Sequence, residues 1–467
     1  MEQIINIVSV IYNFLWGDLF YIPLPGGGSI GISLLVLILI PAGIFFTIRT
    51  KFLPIRLFPE MLRISVQKQK GDRKGALSGM QALIVSTATR VGMGNMVGVV
   101  AAISAGGAGA VFWMWVTALI GCSTAFVEAT LAQIHNEPDP LYGGYRGGPA
   151  YYIHRFFAKS RVANRYSLIA VLFALSGLLC WCGVSQVISN SVSSAFYNAF
   201  QIPPIVSTVI LVVLAAIVVL RKHTTVKVLD IMVPVMAAFY FIIAIYVTVK
   251  NAALLPDVFR RIFEEAFGLR QMVAGGFGAA LMNGVKRGLF SNEAGSGSAP
   301  CAAAAADVSH PAKAGLFQAF GVFIDTIVIC SCTAFIILLA PEDGLAGLEG
   351  MELLQTAMRH HFGEIGVIFT AITLWLFSFS TFVGILYYAR GNVAYLFGDK
   401  WMPQTLYKLL ALVMLFIGGL ATYTFVWELG DIGIGLMTIF NMIVLIPMSG
   451  KAIRSLKEYT SLPKAER

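Results

Sequence analysis

Uninterrupted apolar runs of roughly 17 to 25 residues recur along the whole chain, the length a helix needs to cross about 30 Å of hydrocarbon. Strands of a membrane barrel would be about ten residues long and would alternate in polarity, so the spans are helical. The same runs exclude a soluble domain of ordinary composition. Hydrophobic residues make up 57% of the 467 residues and charged ones 12%, where soluble domains hold about 25% charged. With Gly, Pro and charge as punctuation, spans are predicted near residues 30–49, 76–105, 109–134, 166–190, 204–220 and 228–249, then near 271–305, 315–340, 364–389, 405–423 and 429–450. The six cysteines fall in apolar spans, as small packing residues would, and no disulfide is expected.

The formal charge of +9 does not point to nucleic acid, because the basic residues sit in short alternate loops. The first connection alone carries Arg49, Lys51, Arg56, Arg63, Lys68, Lys70, Arg73 and Lys74. Of the 33 basic residues, 25 fall on one side of the predicted topology and five on the other; Arg90, Lys286 and Arg287 fall inside spans. The basic side is cytoplasmic by the positive-inside rule. The N-terminus is then outside and the C-terminus cytoplasmic, which needs an odd number of spans. The first twenty residues have no basic region before their apolar run and no small-residue cleavage site, and are expected to form an interfacial helix.

Two spans carry glycine-rich polar interruptions that resemble each other. Arg90, Asn95 and Gly98 in the second follow the pattern R-x4-N-x2-G, and Arg287, Asn292 and Gly295 in the seventh repeat it. Five spans separate the two, so they enter the membrane from opposite sides. This is the mark of a five-plus-five inverted repeat with one helix in front, with a binding site at the broken helices. The predicted fold is therefore an all-α integral membrane protein of eleven transmembrane helices, two of them broken. Residues 1–75 would hold the interfacial segment, the extra helix and a basic loop; 76–250 and 271–450 the two repeats; 251–270 an extracellular connection; and 451–467 a cytoplasmic tail. Glycines that merely let helices approach would explain one such span poorly and two matched ones worse.

Unwinding a helix in a bilayer strands backbone groups that only protein, water or a ligand can satisfy. In the break at Val91–Asn95, amides opening the following half-helix favour a carboxylate and carbonyls ending the preceding one favour a cation. A matching break at Leu289–Glu293 would supply carbonyls to an ammonium group and a ring, Phe290, to close over a substrate. Ser378, Ser380 and Thr381 in the ninth span are hydroxyls suited to sodium, or equally to back-bonding onto their own helix. Glu128, Asp230, Glu293, Asp325 and Asp431 lie inside spans and are expected to pair among Arg90, Lys286 and Arg287; a proton-relay role for one of them is the weaker reading. No histidine lies well inside a span, so a histidine proton shuttle is unsupported. A channel would need a symmetric pore, an enzyme a nucleophile or metal cluster, and a sensor a soluble output domain, and none of these is visible.

The stretches RVGMGNMVGV, GGAGAVFWMWVTALIG, GLFSNEAGSGSAP and GVFIDTIVICSCTAFI resemble the alanine or glycine:cation symporter family of bacteria and archaea, over about residues 76–450. The resemblance implies the fold of the bacterial leucine transporter preceded by one helix. It also implies sodium-coupled import of a small neutral amino acid, alanine or glycine first, with glutamine coupled to sodium, or proton coupling, as alternatives. By that resemblance the carbonyls of Ala88 and Val91 and the hydroxyls of Ser380 and Thr381 hold sodium, and the amides of Gly92, Met93 and Gly94 hold the carboxylate. Gln186, Phe290, Ser291 and Ala294 belong to the substrate site, while Asn95 and Asn292 brace the breaks. Arg90 stands where the leucine-transporter family has a small residue serving a second sodium, so one sodium is expected. Beyond the amino acid, sodium and the bilayer of the bacterial cytoplasmic membrane, no cofactor, nucleic acid or obligate protein partner is implied.

Overall fold

The computed structural model describes residues 2–23, 29–66, 77–78, 90–158, 167–221, 225–269 and 276–463. Helices occupy all eleven expected places. Six are each long and apolar enough to cross a bilayer: Gly109–Ile134, Leu168–Phe200, Pro311–Leu338, Glu364–Phe397, Trp401–Gly418 and Tyr423–Ser461. The others are Leu34–Arg49, Arg90–Gly98 continued by Val99–Gly106, Pro204–Val219, Thr225–Lys250 and Gly276–Asn292. The first half of the second span, Ala88 included, lies outside the described residues.

Local chemistry sets the ends of these helices. Ser33 caps the first span by accepting the Val36 N–H at 3.3 Å. His310 caps the eighth through the Ala312 N–H, with Pro311 at the first helical position. Gly363, at φ 64°, separates the ninth from a helix over Gly350–Phe362. That connecting helix lies between the eighth and ninth spans, and Pro149–Phe157 lies between the third and fourth, five spans earlier. The sixth span bends by 73° into Ala252–Ala266. The eleventh does not stop near 450 but continues to Ser461, so most of the expected tail is helical.

The fourth span is the hub, packed along the ninth, tenth and eleventh, while the third packs along the seventh and eighth. A Cβ on Gly183 would come 2.6 Å from the Gly430 nitrogen, and one on Gly433 would come 2.3 Å from Cys180 Cα. The fourth and eleventh helices therefore touch backbone to backbone, the packing that membrane helices use where lipid removes the hydrophobic drive. Leu77–Ser78, entering the second span, pair in parallel with Ala306–Asp307, leaving the seventh. The two irregular spans are thus tied at one end and lie side by side through the core. The N-terminal helix Glu2–Trp16 docks on the eleventh span, where Trp16 Nε1 donates to the Asp431 carbonyl at 3.0 Å.

Candidate functional site

The second span is irregular in a different way from the unwound stretch expected at Val91–Asn95. From Arg90 to Gly98 the backbone is π-helical, a wide turn with hydrogen bonds reaching five residues on. Asn95 holds this turn. Its Oδ1 accepts the Gly92 N–H at 2.9 Å, and its Nδ2 donates to Asp325 Oδ1 at 2.7 Å in the eighth span. The Met93 N–H donates to Thr381 Oγ1 of the ninth span at 3.2 Å. Two amides expected to face a substrate carboxylate thus face side-chain oxygens in this conformation.

The seventh span breaks later than expected. Glu293 N–H still bonds the Leu289 carbonyl at 2.9 Å, so Leu289–Asn292 remain helical and the interruption runs from Glu293 to the new turn at Pro300. Left-handed backbone at Glu293, φ 58°, and positive φ at Gly295 and Gly297 reverse the chain. Asn292 Oδ1 accepts the Ala294 N–H at 3.0 Å, and Glu128 of the third span accepts the Gly295 N–H at 3.0 Å. Asn441 of the eleventh donates to both Glu128 and the Gly295 carbonyl, and is itself bonded by Tyr152. Glu128 is a helix-break ligand, a role its position alone did not announce.

A central cavity of about 30 Å³ lies where these segments meet, lined by Met93, Gly94, Cys180, Trp181, Val184, Phe290, Glu293, Ser298, Thr381, Ile385 and Ile434. Four expected site residues, Met93, Gly94, Phe290 and Thr381, therefore share one wall. Ala294, Gln186 and Ser291 stand elsewhere. Ala294 lines a separate small cavity between the first, third and seventh spans, because the left-handed turn at Glu293 carries it away from Phe290. Gln186 lies against the tenth span, its Nε2 3.2 Å from Met414 Sδ. Ser291 faces the eighth span and donates to Asp325 Oδ2 at 2.9 Å. Ser380 and Thr381 each donate to the Phe377 carbonyl at 2.8 Å, back-bonding onto their own helix. Of the missed residues, Glu293 had a signal, since it follows the repeated Asn; Cys180, Trp181, Val184, Ile385 and Ile434 read only as ordinary apolar positions.

Buried charge above the cavity is paired. Arg287 makes a two-pronged bond to Asp431, at 3.0 and 2.9 Å, with its guanidinium 3.9 Å from the Trp427 ring. Phe290 packs against the same ring, tilted by 54° with centroids 4.8 Å apart, and Lys286 lies 3.7 Å from Asp431. Asp325 is held instead by the neutral donors Asn95, Ser291 and Thr326. Arg90, 1% exposed, donates to the side chain and carbonyl of Gln318 at 2.9 and 3.2 Å. At the opposite end Arg146 pairs with Asp399, and Arg390 lies over the Tyr387 ring at 3.8 Å. Just past the third span, burial, with Lys451 and Arg155 nearby, pulls His135 down to about 4, so it is neutral there.

Comparison with solved structures places this arrangement in a known fold. MhsT in complex with L-phenylalanine superposes with a TM-score of 0.54 at 13% identity, over 81% of this chain and 89% of that one. A mutant manganese transporter of Eremococcus coleocola gives 0.52 at 12%, over 83% and 81%. The fold is the leucine-transporter-like inverted repeat with an extra helix in front. In sequence, the amino-acid carrier protein AlsT of Bacillus subtilis is 39% identical over 99% of this chain and 94% of its own length. The "Probable sodium/glutamine symporter GlnT" of the same organism is 40% identical over 100% and 93%. The sodium/alanine symporter AgcS of Methanococcus maripaludis is 33% identical over 99% and 98%. Residues 27–467 match the model of the sodium:alanine symporter family, and to that family this chain belongs.

Proposed function

We propose that the chain imports a small neutral amino acid, alanine or glycine, with sodium across the bacterial cytoplasmic membrane, its N-terminus outside and its C-terminus inside. One juxtaposition carries the reading: the wide turn of the second span, the break of the seventh and the Thr381 hydroxyl meet at one cavity. Gly92 and Met93 amides already aim at oxygen acceptors, Asn95 Oδ1 and Thr381 Oγ1, which a substrate carboxylate can replace. Sodium would sit beside them, between Ser380, Thr381 and the carbonyls of Ala88 and Val91. With the cation next to the carboxylate site, each ligand stabilises the other, and that mutual stabilisation is the coupling.

Alternating access needs a door on each side. Outside, the Arg287–Asp431 pair, Trp427 and Phe290 form a lid over the cavity. Inside, Arg146–Asp399 and the Arg390–Asp139 contact at 3.9 Å tie the loop after the third span to the end of the ninth. Repeats at 76–250 and 271–450 would move against one another to open one door at a time. Trp181, Phe290 and Ile385 wall the cavity with bulky side chains, which favours a small substrate. Uptake of labelled alanine, glycine and glutamine into proteoliposomes, with and without a sodium gradient, tests this. Uptake unchanged when choline replaces sodium under an imposed proton gradient refutes sodium coupling, and glutamine carried in preference to alanine refutes the substrate.

A further inference from the structure

We propose that the turn over residues 49–56, at the inner end of the first span, is a binding site for the phosphate headgroup of an anionic phospholipid of the cytoplasmic leaflet. The inference rests on the proposed orientation, which puts this end of the span inside.

The first span reaches the turn with an apolar stripe on its outer face. Leu37, Ile44 and Ile48 are exposed along Leu34–Arg49 at the spacing of one helix face, and the helix ends at Thr50. Thr50 Oγ1 donates to the Phe46 carbonyl at 2.8 Å and lies 3.2 Å from Ser123 Oγ of the third span, which ties the turn to that neighbour. Lys51 and Phe52 follow, both left-handed, at φ 57° and 54°. That region is disfavoured for residues with a Cβ, and here two stand in succession. Phe52 and Ile55 are left 56% and 76% exposed, so the apolar surface continues past the end of the helix.

Three cations stand in this apolar surface. Arg49 donates to Ser449 of the eleventh span at 3.0 Å with its guanidinium 5.3 Å from the Phe45 ring, and Arg56 donates to the Thr50 carbonyl at 3.1 Å. These neutral contacts fix both guanidiniums without cancelling their charge. Among the described residues neither meets a carboxylate, and nor does Lys51; the next acid along the chain, Glu60, holds Arg63 and Tyr459. Uncompensated cations at the end of a lipid-facing stripe fit an anionic headgroup whose acyl chains run along the stripe. A soluble anion has no use for exposed Phe52 and Ile55, and a zwitterionic lipid brings its own cation. The turn leads into Phe58–Val66, where Phe58 packs 5.0 Å from Phe323, the first residue of a π-helical turn in the eighth span. A lipid held at 49–56 therefore steadies the segment that braces the eighth span from inside.

The test is native mass spectrometry of the full-length protein in detergent micelles, titrated with dioleoylphosphatidylglycerol or dioleoylphosphatidylcholine, reading the dissociation constant of the first lipid bound. The wild type should prefer the anionic lipid by about tenfold or more. Arg49→Gln, Lys51→Gln and Arg56→Gln together should abolish that preference. Arg155→Gln, Arg221→Gln and Lys400→Gln, which remove equal charge from exposed positions in three other inner loops, should keep it. An undiminished preference in the first triple variant overturns the proposal, and so does equal loss in both, which would make net charge the cause. Displacement of the lipid by glycerol 1-phosphate at similar concentration would mark a free-phosphate site and overturn it too. If the first triple variant is not recovered folded, Lys51→Glu decides, since that side chain makes no hydrogen bond or ion pair among the described residues: an unchanged preference refutes the site. Glu458→Cys, next to the Tyr459 that bonds Glu60, checks the orientation separately, because the six native cysteines are buried. Its labelling by an impermeant maleimide from outside intact cells would overturn the orientation and the assigned leaflet, and not the headgroup site.

Discussion

Thr381 Oγ1 occupies the space that a side chain on Gly92 would need: a Cβ built there would lie 2.1 Å from it, while the same oxygen accepts the Met93 N–H at 3.2 Å. The second and ninth spans are therefore locked together at the level of the cavity by the absence of one methyl group and the presence of one hydroxyl.

From that contact, Gly92→Ala should abolish sodium-driven uptake, because the methyl must push Thr381 away from the Met93 amide. Gly94→Ala should be far milder, since its Cβ would meet only ordinary contacts, Ser291 Cα at 3.4 Å being the nearest. Equal loss in the two variants, measured as initial uptake rate per folded transporter, would mean that the fit at Gly92 has no special role.

Loss of the hydroxyls should be read in the sodium dependence. Ser380→Ala and Thr381→Ala each remove an oxygen beside the proposed ion, and each should raise the sodium concentration for half-maximal uptake about tenfold, with alanine affinity at saturating sodium less affected. A change in alanine affinity alone would move the ion elsewhere.

Asp431→Asn leaves Arg287 and Lys286 buried without their carboxylate, 6% and 8% exposed at their side chains. Breaking a buried pair in this way typically costs about 3–5 kcal/mol. A clear fall in melting temperature in detergent is expected, and Arg287→Met with Asp431→Asn together should recover part of it. An unaltered melting temperature in the single variant would argue that water already reaches the pair.

Glu128→Gln keeps the shape of the group that holds the seventh-span break but offers one carbonyl oxygen where the carboxylate offered two, to the Gly295 amide and to Asn441. A destabilisation of about 1–3 kcal/mol follows from one unmet buried donor. Hydrogen exchange should rise first at 293–299, and protection there equal to wild type would refute the bracing role.

Much of this architecture was legible because a bilayer imposes length and charge rules on every span. The repeated Arg, Asn and Gly pattern found both irregular segments, and Thr381 stood out as a hydroxyl in an apolar helix. What failed was rotation and fine register. Gln186 lies five residues after Trp181, which turns it about 140° round the helix, so it faces Met414 while Trp181 faces the cavity. Ala294 follows a left-handed residue, and a single φ of 58° at Glu293 sent it to another cavity. Its Cβ lies 3.0 Å from where one on Gly121 would be, so Ala294→Ile is expected to disturb packing against the third span by about 1–3 kcal/mol and not to select among substrates. Competition by alanine and glutamine in that variant checks this, because a changed ratio between them would return Ala294 to the substrate site.

The wide turn at Arg90–Gly98 has a counterpart in Phe323–Cys330 of the eighth span, also π-helical, and Asn95 and Asp325 join the two. Each such turn stores a residue more than an α-helix of the same height would. Passing that surplus along the chain lets a helix swivel by about 100° and lengthen by about 1.5 Å per residue while its backbone bonds are exchanged one at a time. A hinge that simply opened would leave amides and carbonyls bare in hydrocarbon. Two coupled surpluses at the same depth give this transporter a ratchet, in which the second and eighth spans can change pitch together and keep the membrane sealed as they move.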